Sequence, residues 1–262
     1  MKLDKNTITG LAEHLENAEL EARDVTKITD DHPDMDWDDA YAIQDEIRRR
    51  KEARGNKTVG LKCGLTSFAK MKQMGVEVPV FGFVSDYMAR PDGGEIKTAE
   101  LIHPKIEAEI CIITKAPLKG PGCHMGAVMA ATDLVLPAVE VIDSRYRDFK
   151  FDLKSVVADN TSASRFVIGG RPKDLGELDL RTLGVVLEKN GEVVTMAAGA
   201  AVLGHPLAAV AMLANHLGAR DQEIPAVTFI MTGGVTEAIA VQAGDNVAVR
   251  FQDLGTVSMR FV

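Results

Sequence analysis

After Gly55 the chain becomes a succession of short β-rich runs with few helical intervals, a pattern that excludes a doubly wound α/β sheet, where a helix follows nearly every strand. The runs are Thr58 to Cys63, Val80 to Val84, Lys105 to Thr114, Leu134 to Ile142, Arg165 to Ile168, Leu183 to Glu188, Val193 to Met196, Val227 to Met231, Asn246 to Phe251 and Thr256 to Phe261. Asn190-Gly191 predicts a two-residue hairpin between two of them, because a type I′ turn requires positive φ at both central positions. Helices are predicted in this part only at Ser67 to Met74, around Met125 to Ala131, and from Pro206 to Leu217, with Pro206 in the first turn and Gly218 at the exit.

The chain before Gly55 reads differently. Residues 7 to 22 and 36 to 54 have the spacing of amphipathic helices, the second opening at Asp36 with Asp39 in its first turn and Ile43 and Ile47 four apart. The expected fold is therefore α+β, with a mainly helical N-terminal portion over 1–56 and a mixed β-core over 57–262. The run Arg48-Arg49-Arg50-Lys51 closes the second helix, where cations complement the negative end of the macrodipole. With a net charge of -8 and an aromatic share of 5%, the chain is not expected to bind nucleic acid. Cys63, Cys111 and Cys123 are odd in number and lack C-x-x-C spacing, which predicts neither disulfides nor zinc and points to the cytoplasm. No stretch reads as the run of ~20 apolar residues that a membrane span needs.

Chemistry is most legible in Lys105-Ile106-Glu107-Ala108-Glu109-Ile110, where apolar and charged residues alternate. In a strand, residues two apart share a face, so Glu107 and Glu109 point the same way, about 7 Å apart at the backbone. Glu140 lies alone in the apolar run Leu136 to Ile142, where a carboxylate needs a partner. One hard cation, magnesium or manganese, would satisfy all three. By spacing, the wet face of an edge strand and a salt bridge at Glu140 fit as well. Lys62 is the one cation in the glycine-flanked run Val59 to Gly64, and fits a cleft or a strand end with its ammonium in water. Asp159 to Arg165 is a polar turn leading into a strand, suited to presenting hydroxyls and a guanidinium to a carboxylate. The glycine-rich pieces Gly199 to Gly204 and Thr232 to Thr236 can turn backbone N–H groups toward an anion, but neither has phosphate-loop spacing.

Longer segments carry a resemblance. Ile47 to Lys57, Val59-Gly60-Leu61-Lys62, Leu101 to Glu109, Val139 to Tyr146, Val157 to Asn160 and Ala198 to Pro206 resemble, in that order, segments of the hydratase/decarboxylase family of the meta-cleavage pathway, within the fumarylacetoacetate hydrolase superfamily. The decarboxylase branch is the more similar. The resemblance implies a rolled mixed β-core and metal-dependent loss of CO2 from a dicarboxylate, (3E)-2-oxohex-3-enedioate, to give 2-hydroxypenta-2,4-dienoate. It implies a metal, Mg2+ or alternatively Mn2+, held by Glu107, Glu109 and Glu140, with Lys62 as the catalytic lysine and Ser162 facing the substrate. It also implies an oligomer and a complex with 2-oxopent-4-enoate hydratase. Where the hydratases resembled have P-D-F-G, this chain has Pro79-Val80-Phe81-Gly82, and Val80 cannot transfer a proton. Where they tend to carry a small or apolar residue, it has Arg165, which leads to the expectation that Arg165 binds the second carboxylate.

Overall fold

The computed structural model describes the whole chain except residues 69, 70, 73 and 74. The predicted helix from Ser67 to Met74 thus falls partly outside the described residues, of which Phe68, Met71 and Lys72 are helical.

Two helices open the chain, α1 (Lys5–Leu20) and α2 (Trp37–Ala53). Asp4 caps the first through Thr7, and Asp36 and Asp39 close a reciprocal capping box on the second, satisfying N–H groups that the helix itself leaves unpaired. The basic run at the end of α2 does more than complement a dipole. Arg50 and Arg54 each reach Glu16 of α1 at 2.7 Å, and the buried Lys51 reaches Glu19 at 2.7 Å and the Tyr87 hydroxyl at 2.8 Å. These pairs lie over an apolar seam of Ile8, Leu15, Ile43 and Ile47 that continues into Val80, Phe83 and Val157, so the helices pack directly on the β-core.

The core contains two sheets. The larger has the order β2 (Val80–Ser85), β1 (Thr58–Gly64), β10 (Phe229–Gly234), β5 (Lys105–Thr114), β6 (Thr132–Ile142), β7 (Ala163–Ile168) and β3 (Ala89–Arg90), with β11 (Ile239–Ala240) also paired to β5. It is mixed, since β1 runs parallel to β10 and β3 to β7 while the other pairs are antiparallel. The smaller sheet has the order β4 (Gly94–Ile96), β13 (Gly255–Phe261), β12 (Asn246–Phe251), β8 (Gly184–Lys189) and β9 (Glu192–Ala198). Its β8–β9 hairpin turns at Asn190 and Gly191, with φ of 56° and 84°, as the sequence predicts. The short strands β3, β4 and β11 have no sequence signal strong enough to be expected, being only two or three residues long.

Helices α3 (Met125–Ala131) and α4 (Leu153–Ala158) are short, and α5 (Pro206–Ala219) is the core helix. Gly218 is not its exit. The helix runs through Gly218 to a cap at Arg220, and a Cβ at Gly218 would lie 2.4 Å from the Gly120 carbonyl oxygen, so the glycine is there for close backbone approach. The longer segment Gly199–Ala219 has a mean hydropathy of 1.4 and is apolar enough by length and composition to cross a membrane, contrary to the sequence reading. In the fold it is a 3-10 turn followed by α5, whose Leu207, Val210, Leu213 and Ala214 are buried in the main core, which accounts for its apolar character.

His216 of α5 lies between Tyr41 of α2 and Phe81 of β2, ring centroids 4.4 and 4.9 Å away, and so ties three elements together. Burial, reinforced by Arg220, pushes its pKa down to about 4. The neutral ring is favoured in the fold, so its contribution is complete above pH 6.5 and is lost as pH falls from 6.5 toward 4. His216→Phe keeps the ring contacts and removes this titration. Urea unfolding at pH 7 and pH 4.5 should show a pH-dependent loss smaller in the variant by about 1–2 kcal/mol, allowing for the partial openness of the ring. Equal losses in both proteins would exclude this role.

Candidate active site

The acidic residues meet because of strand register. Antiparallel pairing of β5 with β6 sets Glu107 directly opposite Glu140, and alternation puts Glu109 on the same face as Glu107. One carboxylate oxygen from each of the three lies within 4.8 Å of the others. This is the only such group of possible metal ligands among the described residues. Glu109 is fully buried and Glu140 nearly so, which removes the wet edge strand as an explanation.

Backbone geometry prepares the place. At a bulge between Met231 and Gly234, Gly233 takes a φ of 106° and its N–H donates to Glu109 Oε2 at 2.7 Å. The glycine-rich segment from Thr232 to Thr236 therefore turns an N–H toward an acidic side chain of the chain itself. The other oxygen, Glu109 Oε1, is buried without a hydrogen-bond partner. Burial drives the Glu109 pKa well above the ordinary carboxylate range, and the neighbouring Glu140 charge adds to the effect.

Lys62 of β1 is buried in the same cluster, and its ammonium donates to Glu140 Oε1 and, at 3.0 Å, to the Thr161 carbonyl. Of the two sequence alternatives the cleft is realised. With all four groups charged, the cluster carries two net negative charges, which one divalent cation balances. An oxygen-only donor set, an orphaned buried carboxylate oxygen and this charge all fit a hard divalent ion.

The segment after α4 supplies the other wall. Asn160, Thr161 and Ser162 take consecutive left-handed φ values of 46°, 51° and 59°, which L-residues adopt only under constraint. The constraint is visible on both sides. The Asn160 side chain accepts from Phe83 N at 3.0 Å and donates to Phe83 O at 2.9 Å, while the buried Asp159 is ion-paired with Arg145, whose guanidinium also donates to the Asp143 and Ala163 carbonyls. The strained turn directs Thr161 and Ser162 at the cavity, and both hydroxyls are buried without partners.

The cavity has a volume of about 490 Å³ and is lined by Lys62, Glu107, Glu140, Thr161 and Ser162, with Val80, Ile142, Phe149, Phe151 and Val156 as apolar wall. Lys105 lines it too, its ammonium 4.0 Å from the centroid of Phe149. Sequence reasoning gave Lys105 no role, although the same alternation that aligned Glu107 and Glu109 placed it on their face. Phe149 and Phe151 lie in an irregular loop where periodicity carries no information. Arg165 is placed elsewhere. It pairs with Val141, the neighbour of Glu140, and so takes the opposite sheet face; its guanidinium contacts Ser164 and, at 3.4 Å, Glu100, and it does not line the cavity. Cys63, Cys111 and Cys123 are free thiols.

A curled mixed sheet that gathers three glutamates and a lysine at the base of a part-apolar cavity defines a divalent-cation site on a fumarylacetoacetate hydrolase fold. No family model matches the chain. Among curated proteins it is 65% identical over 260 residues to 4-oxalocrotonate decarboxylase from Pseudomonas putida, covering 99% of this chain and 98% of that one. It is 38% identical over 260 residues to 2-hydroxyhexa-2,4-dienoate hydratase from Comamonas testosteroni, covering 98% of each. A solved structure of 4-oxalocrotonate decarboxylase from Pseudomonas putida G7, complexed with magnesium and adipate, superposes with a TM-score of 0.99 at 64% identity, over 100% of this chain and 99% of that one. The chain belongs to the hydratase/decarboxylase family of the fumarylacetoacetate hydrolase superfamily.

Because three carboxylates are held together at a cost, Glu109→Gln should have two opposite effects. Calorimetric titration with Mn2+ should show at least about a tenfold loss of affinity, while the metal-free protein should melt several degrees higher as buried repulsion is relieved. Unchanged Mn2+ affinity would remove Glu109 from the metal set.

Proposed function

We propose that this chain is a carboxy-lyase that converts (3E)-2-oxohex-3-enedioate (4-oxalocrotonate) to 2-hydroxypenta-2,4-dienoate and CO2, with Mg2+ as the metal. The observation that carries the reading is the convergence of Glu107, Glu109 and Glu140 beside Lys62 at a cavity large enough for a six-carbon diacid. The similarity to 4-oxalocrotonate decarboxylase over almost the entire chain supports the substrate.

Glu107, Glu109 and Glu140 hold the cation. When bound, it supplies a Lewis acid to the 2-oxo acid end of the substrate. The 3,4 double bond conjugates C5 with the C2 carbonyl, so breaking the C5–C6 bond releases CO2 and sends its electron pair toward the C2 oxygen, which takes a proton from solvent to give the 2-hydroxydienoate. Lys62, fixed by Glu140 and the Thr161 carbonyl, adds positive charge where that oxygen becomes negative, and such stabilisation accelerates the step because it grows in the transition state. Ser162 donates its free hydroxyl to a substrate carboxylate. Val80, Phe151 and Val156 cover the hydrocarbon chain and keep water from it. Val80 places no proton-transfer group at this wall, which favours decarboxylation over hydration.

The dienol product is short-lived in water, which supports transfer to a docked 2-oxopent-4-enoate hydratase. Edge strand β9 exposes Val193, Val194 and Met196, an apolar surface consistent with self-association or docking, and free thiols are consistent with work in the cytoplasm. Sedimentation velocity should show species heavier than the 28.2 kDa chain, and a further shift when the hydratase is added; a 28.2 kDa species under both conditions contradicts the assembly.

For the reaction, Glu107→Gln should remain folded and lose Mg2+-dependent CO2 release by at least about a hundredfold, as expected for removal of one metal ligand. Normal turnover in that variant, followed by loss of substrate ultraviolet absorbance, would sink the assignment.

A further inference from the structure

With Arg165 turned away from the cavity, the recognition of the substrate's second carboxylate falls to another group. We propose that Lys105, braced by Phe149, binds the distal carboxylate and makes the site selective for dicarboxylates. This rests on the decarboxylase reading above and adds the residue that sets its substrate class.

Three observations lead there. First, Lys105 is two residues before Glu107 on β5 and opposite Ile142 on β6, so it shares the cavity face of the sheet. Strand rise separates its backbone from that of Glu107 by about 7 Å. An extended six-carbon diacid spans about 6 Å between its end carbons by ordinary bond lengths, so a molecule whose 2-oxo acid end sits at the glutamates can extend its other end to the ammonium. Second, Lys105 is half-buried, and among the described residues no carboxylate forms an ion pair with it. A ring face attracts the ammonium but is no substitute for a carboxylate acceptor, so its N–H donors remain available to a ligand. Third, Phe149 and the preceding Asp148 have left-handed φ values of 58° and 56°. The backbone is held in a costly conformation at the point where the ring meets Lys105.

The group that Lys105 holds is the one that leaves. As the C6 carboxylate becomes neutral CO2, its attraction to the ammonium fades, so the contact is worth more in the bound substrate than in the transition state. Lys105 is therefore a specificity residue, and its removal has a kinetic signature that loss of a catalytic group lacks: KM rises by more than kcat/KM falls, and kcat does not drop.

The test uses the Mg2+-loaded protein and two probes, adipate, which has two carboxylates, and 2-oxopentanoate, which has one. Lys105→Met should weaken adipate binding by about tenfold or more and leave 2-oxopentanoate within about twofold, as loss of one charge-assisted hydrogen bond predicts. Lys105→Arg should restore most of the adipate affinity, and Lys105→Gln, which lacks the charge but keeps a polar side chain, should weaken adipate binding as Lys105→Met does. Arg165→Leu serves as the control and should leave KM for the dicarboxylate unchanged. Unaltered adipate binding in both Lys105→Met and Lys105→Gln, or equal weakening of both probes, overturns the proposal. Binding separates the two readings: if the wild-type protein shows the expected probe selectivity but releases no CO2, the reaction fails and the dicarboxylate subsite stands.

Discussion

Like charge forced together inside the protein is the constraint around which the structure is arranged. Three glutamates converge within 4.8 Å with one buried lysine among them, in surroundings that drive the Glu109 carboxyl toward its protonated form. Such a cluster is unfavourable by itself, because burial removes water from each charge and proximity sets them against one another. Register is what enforces it. The pairing of β5 with β6 locks ten-residue and eleven-residue strands together, and their alternate residues, Ile106, Ala108, Ile110, Val139 and Val141, are sealed in the main core on the opposite face. Slipping the register by one residue would bury the acids in that core and expose its aliphatic side chains, so the apolar face holds the acidic one in place.

The same alternation explains how much could be read without coordinates. Along β5 each position's face follows from its parity, which is why the shared direction of Glu107 and Glu109 was legible. Glu140 was conspicuous for being the one charge inside an apolar run. The helix caps at Asp36 and Asp39 and the Asn190-Gly191 turn were legible for a related reason, since each is a local device whose geometry depends on neighbours a few residues away. The sequence also located the polar turn within Asp159 to Arg165, but not the left-handed course of Asn160 to Ser162, which is imposed by Phe83 and Arg145 from elsewhere in the chain.

Arg165 shows where local reading ends. It lies just beyond a segment that does reach the cavity, and its contrast with the small or apolar residue of the hydratases suggested a contact with the second carboxylate. The face it takes depends on its pairing with Val141 and on a register shift between Val141 and Ile142, neither of which the residues of β7 reveal. Lys105 is the complementary case. Its parity with Glu107 was plain, but the aromatic group that braces it comes from a loop over forty residues later, and without Phe149 the lysine reads as the outer end of an edge strand. Gly218 adds a third example, for a glycine near a helix end fits an exit, and only the approach of Gly120 shows that it fits a contact.

Strain and charge at the site are offset by the elements around it. The turn that presents Thr161 and Ser162 is clamped by the Asn160 bonds to β2 and by the Asp159–Arg145 pair, while β2 is in turn packed against the N-terminal helices through Val80 and Phe83. Gln44 of α2 donates to the carbonyls of Phe81 and Val157 at 2.9 and 2.8 Å, joining the helix to β2 and α4 at once. The helical portion therefore acts on the chemistry without touching the cavity's acids: it fixes the strand that Asn160 grips, Asn160 fixes the turn, and the turn supplies the carbonyl that aims Lys62. Loosening that chain of contacts would remove the Thr161 carbonyl as the second anchor of Lys62 and leave its ammonium held by Glu140 alone.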